Sequence, residues 1–150
     1  MHAAVFAGVF AILYTAHLIA DHWVQTHHQA EAKGTPGWPG RLACAAHVAT
    51  HTLTSLAGLA ALVWRTGLPL PPGPTALGLA VSAISHYAAD RRTPLQRLGR
   101  LLGRGRYIQY ATVLRTPAGT AQATGPGTAL FHLDQSWHVC WLAIAALIIA

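Results

Sequence analysis

The sequence predicts an all-α fold, an integral membrane four-helix bundle with a cytoplasmic amphipathic segment between helices three and four. Three observations predict it. The chain is 53% hydrophobic and only 9% charged, which is too apolar for a typical soluble domain. Four apolar stretches approach the length of about 17 to 25 helical residues that crosses a membrane. Pro/Gly segments separate these stretches, and 150 residues suit one domain, so we take residues 1–150 as a single transmembrane domain.

The four predicted spans follow the apolar stretches in chain order. No basic segment precedes the first apolar run, so we interpret it as a retained span and not as a cleaved signal peptide. The third span is short, and it either crosses with little tilt or begins within the Pro-rich segment before it. The spans run from about Ala3 to Gln25, Leu42 to Trp64, Thr75 to Asp90 and Ala129 to Ala150.

Turn-forming segments connect the spans. GTPGWPG at residues 34–40 and GLPLPPGP at residues 67–74 are short connections, which predict antiparallel neighbours. The third connection is longer and contains TPLQRLGRLLGR, which separates leucines from arginines as an interfacial amphipathic helix does. It ends with TPAGTAQATGPG, a small and polar stretch that we expect to be flexible.

Basic residues orient the bundle, because cytoplasmic connections of membrane proteins are enriched in lysine and arginine. The first connection carries Lys33 and Arg41, and the second carries only Arg65. We therefore expect the odd-numbered connections in the cytoplasm and both termini outside. The third connection has the most basic residues: Arg91, Arg92, Arg97, Arg100, Arg104, Arg106 and Arg115.

The net charge of +6 predicts partners of opposite charge. Its concentration next to the spans favours membrane lipids, with anionic headgroups at the arginine-rich segment. No nucleic acid is expected as a partner, since no recognition motif accompanies the arginines. A homo-oligomer is left open.

Each span also carries polar residues four positions apart. Four residues turn an α-helix by about 400°, so such residues lie above one another on one face. With the orientation above, all four polar stripes fall at the cytoplasmic ends of their helices. The stripes are His17, Asp21 and Gln25 in the first helix, His47 and His51 in the second, Ser82, His86 and Asp90 in the third, and His132, Asp134 and His138 in the fourth.

A shared metal site explains all four stripes at once. An ionised aspartate in the middle of a membrane costs about 2.5 to 3.5 kcal/mol, and such residues usually face the interior of the bundle. Imidazole and carboxylate bind zinc, iron and manganese. We predict one or two divalent ions, with zinc first and iron or manganese as alternatives. The predicted ligands are His17, Asp21, His47, His51, His86, Asp90, Asp134 and His138, and the residues predicted to support them are Gln25, Ser82, His132 and Lys33.

Simpler interpretations stay open for single residues. A lone buried histidine is more often a hydrogen-bonded core residue than a ligand. The HxxxH of the second helix is common by chance in a chain with 10 histidines. For Asp21 and Asp90, the alternative is an ion pair with Arg91 or Arg92 at the membrane surface.

The motifs together carry a family resemblance. HLIADHWVQ, Lys33, HVATH, SHYAAD and FHLDQSWH follow the order HxxxDxxxQ, Lys, HxxxH, HxxxD and DQxxH. In this the chain resembles the small bacterial and phage membrane proteins of domain-of-unknown-function family 3307, over nearly its whole length. The resemblance implies a bacterial inner-membrane location and a shared site, and it names no reaction. The sequence departs from the family pattern at His22 and in its long arginine-rich connection.

Hydrolysis is the first class of function that such a site predicts. The protein would be a metal-dependent hydrolase acting on a lipid, an ester or a phosphoester near the cytoplasmic leaflet. Asp134 or Asp90 is the candidate general base. Lys33, or the pair Arg91 and Arg92, is the candidate for holding a phosphate headgroup. Short SxxxH and HxxxH matches also resemble ceramidase-like membrane hydrolases.

The second class of function is metal binding without catalysis, for transport, storage or sensing. Transport favours polar residues that continue through the membrane. The outer parts of the helices, such as AAVFAGVFAIL and AIAALIIA, are almost purely apolar, which favours the hydrolase. Haem held by two histidines is a third interpretation, and it leaves the carboxylates unexplained.

Overall fold

The computed structural model of the chain describes residues 2–111, 113–114, 121–122 and 125–150. Within these ranges the predicted all-α class is confirmed, apart from one antiparallel pair of two-residue strands. Arg115 and most of TPAGTAQATGPG lie outside the described residues. The elements are α1 (His2–Ile19), a π-helical turn (Ala20–Val24), α2 (His27–Ala32), α3 (Gly37–Thr66), α4 (Pro72–Asp90), α5 (Thr93–Leu101), α6 (Gly105–Tyr110), β1 (Val113–Leu114), β2 (Ala121–Gln122) and α7 (Ala129–Ile149).

Two long helices begin earlier than the apolar pattern predicts. Helix α3 begins at Gly37, inside the GTPGWPG segment. This is possible because Pro39 lies in the first turn, where its missing N–H is not needed for a helical hydrogen bond. Helix α4 begins at Pro72 for the same reason, so the Pro-rich segment supplies the start of the helix that corresponds to the third predicted span.

Helices α1, α3, α4 and α7 pack side by side, since α1 and α4 each contact both α3 and α7. The core at one end of this group is entirely apolar. It combines the first half of α1 with the last halves of α3 and α7, which shows that α1 runs antiparallel to both. Its buried members are Val5, Val9, Leu13, Leu59, Leu142, Ala145, Ala146 and Ile149.

Two helices in the described part of the chain are long and apolar enough to cross a membrane by length and composition. They are His2–Val24, which joins α1 to the π-helical turn, and Gly37–Thr66. They correspond to the first two predicted spans. A membrane crossing by any of the four long helices stays a prediction.

Helix α5 lies across the end of the bundle opposite the apolar core, where it contacts α4 and α7. Leu95 near the start of α5 is buried, whereas Leu101 at its end and Leu102 just after it are exposed. The apolar face of this amphipathic helix therefore packs against the bundle near Leu95 and is exposed near Leu101.

Arg91 fixes the position of the turn between α2 and α3. Its guanidinium donates hydrogen bonds to the backbone oxygens of Lys33, over 2.7 Å, and Thr35, over 2.6 Å. The end of α4 thereby holds the Lys33 backbone close to the polar end of the bundle.

Candidate metal centre

All eight predicted ligands come together at the end of the bundle opposite the apolar core. The five imidazoles among them are buried. His86 lies in the middle, with its ring centroid 4.2 Å from those of both His51 and His138. The centroids of His47 and His17 follow at 5.1 and 5.6 Å. The polar stripes of four helices thus form one cluster, as the spacing of four predicts for helices whose stripes face inward.

The π-helical turn places the carboxylate of Asp21 between two histidines. Its Oδ2 atom is 3.7 Å from His17 Nδ1, one turn earlier, and its Oδ1 atom is 3.3 Å from His47 Nε2 on α3. The turn closes where the backbone N–H of Gln25 donates to the oxygen of Ala20, five residues earlier. Such widened turns occur frequently at functional sites.

Four donor atoms from three helices have five of their six separations close to those of ligands around one metal ion. They are Asp21 Oδ1, His47 Nε2, His86 Nε2 and Asp90 Oδ2. Five distances among them lie between 3.1 and 4.0 Å. Four ligands with bond lengths of about 2.0 to 2.1 Å around one zinc ion are about 3.3 to 3.4 Å apart. We call these four residues the donor quartet.

The hydrogen bonding of the cluster also fits a metal ion. A buried polar atom without a partner destabilises a protein, and native structures contain few. Among the described residues, the buried polar side-chain atoms without a hydrogen-bond partner all lie in or beside this cluster. They are His17 Nδ1 and Nε2, Asp21 Oδ1, Gln25 Nε2, His47 Nδ1, His51 Nε2, Ser55 Oγ, Asp90 Oδ2 and His138 Nε2.

Donors outside the quartet are close enough to bind metal as well. His86 is within 4.8 Å of ligand atoms of His17 and His51, and it forms a second such trio with Asp90 and His138. Asp134 extends this group, because its Oδ1 atom is 3.5 Å from His138 Nε2. The buried histidines and aspartates are therefore able to hold a metal ion in more than one arrangement.

Lys33 pairs with Asp90, over 2.9 Å from Nζ to Oδ1. The side chains are 14% and 3% exposed, so the pair is largely withdrawn from water. The alternative ion pairs of Asp21 or Asp90 with Arg91 or Arg92 are not among the ion pairs that the described part of the chain forms. Arg91 instead donates to backbone oxygens.

The other predicted supporting residues differ in position. Ser82 is buried one turn before His86, and Gln25 lines the cleft described below. His132 is exposed, with its ring beside that of Phe131. Six residues separate it from His138, which turns the helix by about 600° and places it on another face.

Ser55 is a residue that the sequence analysis missed. It is buried, and its Oγ atom has no hydrogen-bond partner in the described structure. It continues the stripe of His47 and His51 by one more step of four residues. The spacing of four residues predicts that Ser55 lies on the same face of α3 as His47 and His51.

A cleft of about 260 Å³ leads from the surface to the three aspartates of the cluster. Its polar wall belongs to the ends of α1 and α4 and the start of α7, and apolar residues of α5 and α7 close the other side. The polar lining residues are Asp21, His22, Gln25, Lys33, Asp90, Arg92, Asp134 and Gln135, and the apolar ones include Leu95, Leu130 and Phe131.

Comparison with known proteins identifies a family. The model of the family described as "Protein of unknown function (DUF3307)" matches residues 9–150. The chain belongs to this family. The matched residues include every member of the donor quartet, and the family description adds no activity to them. Searches of the curated proteins and of the solved structures each gave no match.

The chemistry available to this DUF3307 chain follows from its donor set. Neutral imidazole nitrogens and carboxylate oxygens suit zinc, iron and manganese. This donor set differs from the closed shell of cysteine thiolates that forms many structural zinc sites. The cleft reaches the carboxylates of Asp21, Asp90 and Asp134, so a small molecule has access to the cluster. Access distinguishes a site that acts on a ligand from one that is purely structural.

Proposed function

We propose that this protein is an integral membrane, metal-dependent hydrolase that acts on a lipid or phosphoester near the cytoplasmic leaflet. The observation that supports this most directly is the donor quartet, whose atoms have metal-ligand spacing and whose two aspartates line the cleft. Metal-dependent hydrolysis needs both a bound metal and room for a substrate beside it.

The donor quartet would hold one divalent ion, with zinc as the first choice because imidazole and carboxylate are common zinc ligands. Iron and manganese accept the same ligands. The remaining histidines, His17, His51 and His138, are available to a second ion. A divalent ion supplies a Lewis acid that polarises the scissile ester group and activates water.

Asp134 is the best candidate for the general base. It lines the cleft and retains more exposure than the other two aspartates of the cluster, at 23% for its side chain. Asp90 is the weaker candidate, because Lys33 engages one of its oxygens and the quartet uses the other. In the proposed reaction Asp134 takes a proton from water, and the water oxygen bonds to phosphorus or the carbonyl carbon. The ester bond then breaks, and Asp134 returns the proton to the leaving alcohol.

The apolar core supports hydrolysis over transport. Beyond His17 and His51 the bundle interior is filled by buried apolar side chains, among them Leu13, Leu59 and Leu142. The cluster therefore opens toward the cleft, and the described helices offer an ion no polar route through the apolar end. Storage or sensing of a metal without catalysis is the second candidate, since the donor set alone serves it equally well.

Several features support a membrane location for the four-helix bundle. Two helices have the length and composition of a span, and large apolar side chains such as Leu53 and Ile84 are exposed. Exposed Trp38 and Trp64 lie near opposite ends of α3. At 1.5 Å per residue they are about 39 Å apart, which matches the distance of about 40 to 45 Å between the two interfaces of a bilayer. The arginine-rich connection would face the cytoplasm.

Turnover with defined substrates tests the hydrolase. Wild-type protein in vesicles is loaded with zinc or manganese and assayed with p-nitrophenyl phosphate, p-nitrophenyl acetate and phosphatidic acid. We expect metal-dependent release of product from at least one substrate. Asp134→Asn should lower kcat by about 100-fold or more, as loss of a general base does, with metal content unchanged. His132→Ala is the matched control on the same helix and should keep full activity.

The opposite results separate the two candidate functions. Bound metal without turnover of any substrate would contradict the hydrolase and leave storage or sensing. Equal kcat for Asp134→Asn and wild type would remove Asp134 as the base. Absence of bound metal would overturn both functions.

A further inference from the structure

Two basic side chains, Lys33 and Arg92, share the cleft with the three aspartates. Their neighbour Arg91 is engaged elsewhere, with the backbone of the α2–α3 turn. The three cations near the metal cluster therefore have different roles. Lys33 pairs with Asp90 at the wall of the cleft, Arg91 holds a turn, and Arg92 lies at the same wall of the cleft as Lys33.

The placement of Arg92 depends on an unusual backbone conformation. Arg92 has φ 59° and ψ −48°, and it is the non-glycine residue with positive φ in the described chain. Side chains rarely adopt this region, and such strain is concentrated at functional sites. Arg92 connects α4 to α5. Its backbone conformation therefore sets the direction of its side chain, while both helices stay regular.

Gly34 makes room for the Arg92 side chain. A Cβ atom at position 34 would lie 2.7 Å from both Cδ and Nε of Arg92 and 2.9 Å from Cζ. Any larger residue there would push the guanidinium group away. The guanidinium thus packs across the Gly34 backbone, next to Lys33 and at the same wall of the cleft.

The charge of the cleft changes sign when metal binds. Asp21, Asp90 and Asp134 carry three negative charges, and Lys33 with Arg92 carries two positive charges. One divalent ion makes the total positive, and a second adds to it. A metal-loaded cleft is therefore a site for an anion, and Arg92 is a residue whose planar group binds phosphate oxygens in pairs.

We propose that Arg92, with Lys33 beside it, forms a phosphate-binding subsite next to the metal cluster, and that the ligand is the phosphoryl group of a phosphoester. This proposal rests on the proposed function and narrows its substrate class. The buried Nε2 of Gln25, without a partner in the described structure, supplies a further donor at the cleft. A volume of about 260 Å³ suits a headgroup and not a whole lipid, because drug-sized ligands occupy about 300 to 1,000 Å³.

Calorimetric titration with inorganic phosphate tests the subsite in detergent-solubilised full-length protein. Wild type, Arg92→Gln, Gly34→Ala and the control Arg97→Gln are each measured with and without zinc, and their metal content is determined in parallel. We expect phosphate to bind the zinc-loaded wild type and to bind at least tenfold more weakly without zinc. Arg92→Gln and Gly34→Ala should each weaken binding by about 10-fold to 100-fold with normal zinc content. Arg97→Gln, on the exposed part of α5, should bind as wild type does.

The results separate this inference from the proposed function. Normal zinc content with no phosphate binding, or with equal binding in wild type and Arg92→Gln, would overturn the subsite and leave the metal site intact. Lack of zinc in the wild type would overturn the proposed function. Competition by glycerol 3-phosphate and by vesicles containing phosphatidic acid then distinguishes a soluble phosphoester from a lipid headgroup. Failure of both to compete would overturn the assignment to a phosphoester.

Discussion

At the scale of single residues, His86 joins the parts of the cluster. Its ring belongs to the donor quartet and to both other groupings of potential ligands. It is almost completely buried, so the cost of burying a polar ring is offset only if its nitrogens have partners. Its central position makes it the histidine whose loss should disturb every arrangement of metal.

Lys33 supplies the countercharge for Asp90 when metal is absent. Removal of one partner of a buried ion pair costs about 3 to 5 kcal/mol, because the other charge stays buried. Lys33→Met should therefore lower the thermal midpoint strongly in the presence of a chelator. With zinc bound the loss should be smaller, since the ion takes over the neutralisation of Asp90. Differential scanning calorimetry with zinc and with chelator measures both values.

Arg41→Met provides the comparison for Lys33→Met. Arg41 is an exposed basic residue over the ring of Trp38, and its loss should have a small effect that is equal with and without zinc. An equal decrease in the thermal midpoint of Lys33→Met with zinc and with chelator would show that the metal does not neutralise Asp90.

At the scale of elements, the close contact between α4 and α7 holds two of the four stripes in register. A Cβ atom at Gly78 would lie 2.6 Å from Cγ1 of Ile149 and 2.9 Å from the backbone oxygen of Ala145. Backbone atoms cannot move aside as a side chain does, so Gly78→Ala should separate the helices. Overpacking of this kind costs about 1 to 3 kcal/mol.

Gly8→Ala is the matched control for Gly78→Ala, because a Cβ atom at position 8 would meet side-chain atoms at 3.6 Å or more. It should be neutral or slightly stabilising, as alanine favours a helix over glycine. Urea unfolding in detergent gives both free energies. A Gly78→Ala protein as stable as Gly8→Ala would contradict the close packing of α4 on α7.

Much of the site is predictable from the sequence at this scale, because a step of four residues on a helix defines a face. His17 with Asp21, His86 with Asp90, and Asp134 with His138 are all found as neighbours. The same spacing rule excludes His132 from the polar face of α7 that carries Asp134 and His138. It also includes Ser55 in the polar face of α3 that carries His47 and His51.

Other features depend on contacts between distant segments and have no local signal. The Lys33–Asp90 pair requires Arg91 to hold the α2–α3 turn against the end of α4. No residue of the ADHWV segment marks it as a π-helical and not an α-helical turn. The strained backbone of Arg92 is likewise visible only in three dimensions.

At the scale of the whole molecule, the proposed orientation makes a prediction about the two ends of the bundle. Thr66 lies at the end of α3 beside the apolar core, and Arg106 belongs to the arginine-rich connection. Both residues are exposed. In a background with Cys44→Ala and Cys140→Ala, Thr66→Cys should react with a membrane-impermeant maleimide on intact bacterial cells. Arg106→Cys should react only after permeabilisation. Labelling of Arg106→Cys on intact cells would reverse the orientation.

The central claim, that four helices share one metal site, is tested most directly by metal content. Elemental mass spectrometry on detergent-purified protein should find one or two equivalents of zinc, iron or manganese in the wild type. Asp21→Asn and His86→Ala should each lose metal, because they remove donors from the quartet, while His132→Ala should keep it. A wild type without metal after reconstitution, or variants that retain full metal content, would contradict the shared site and leave a hydrogen-bonded polar core.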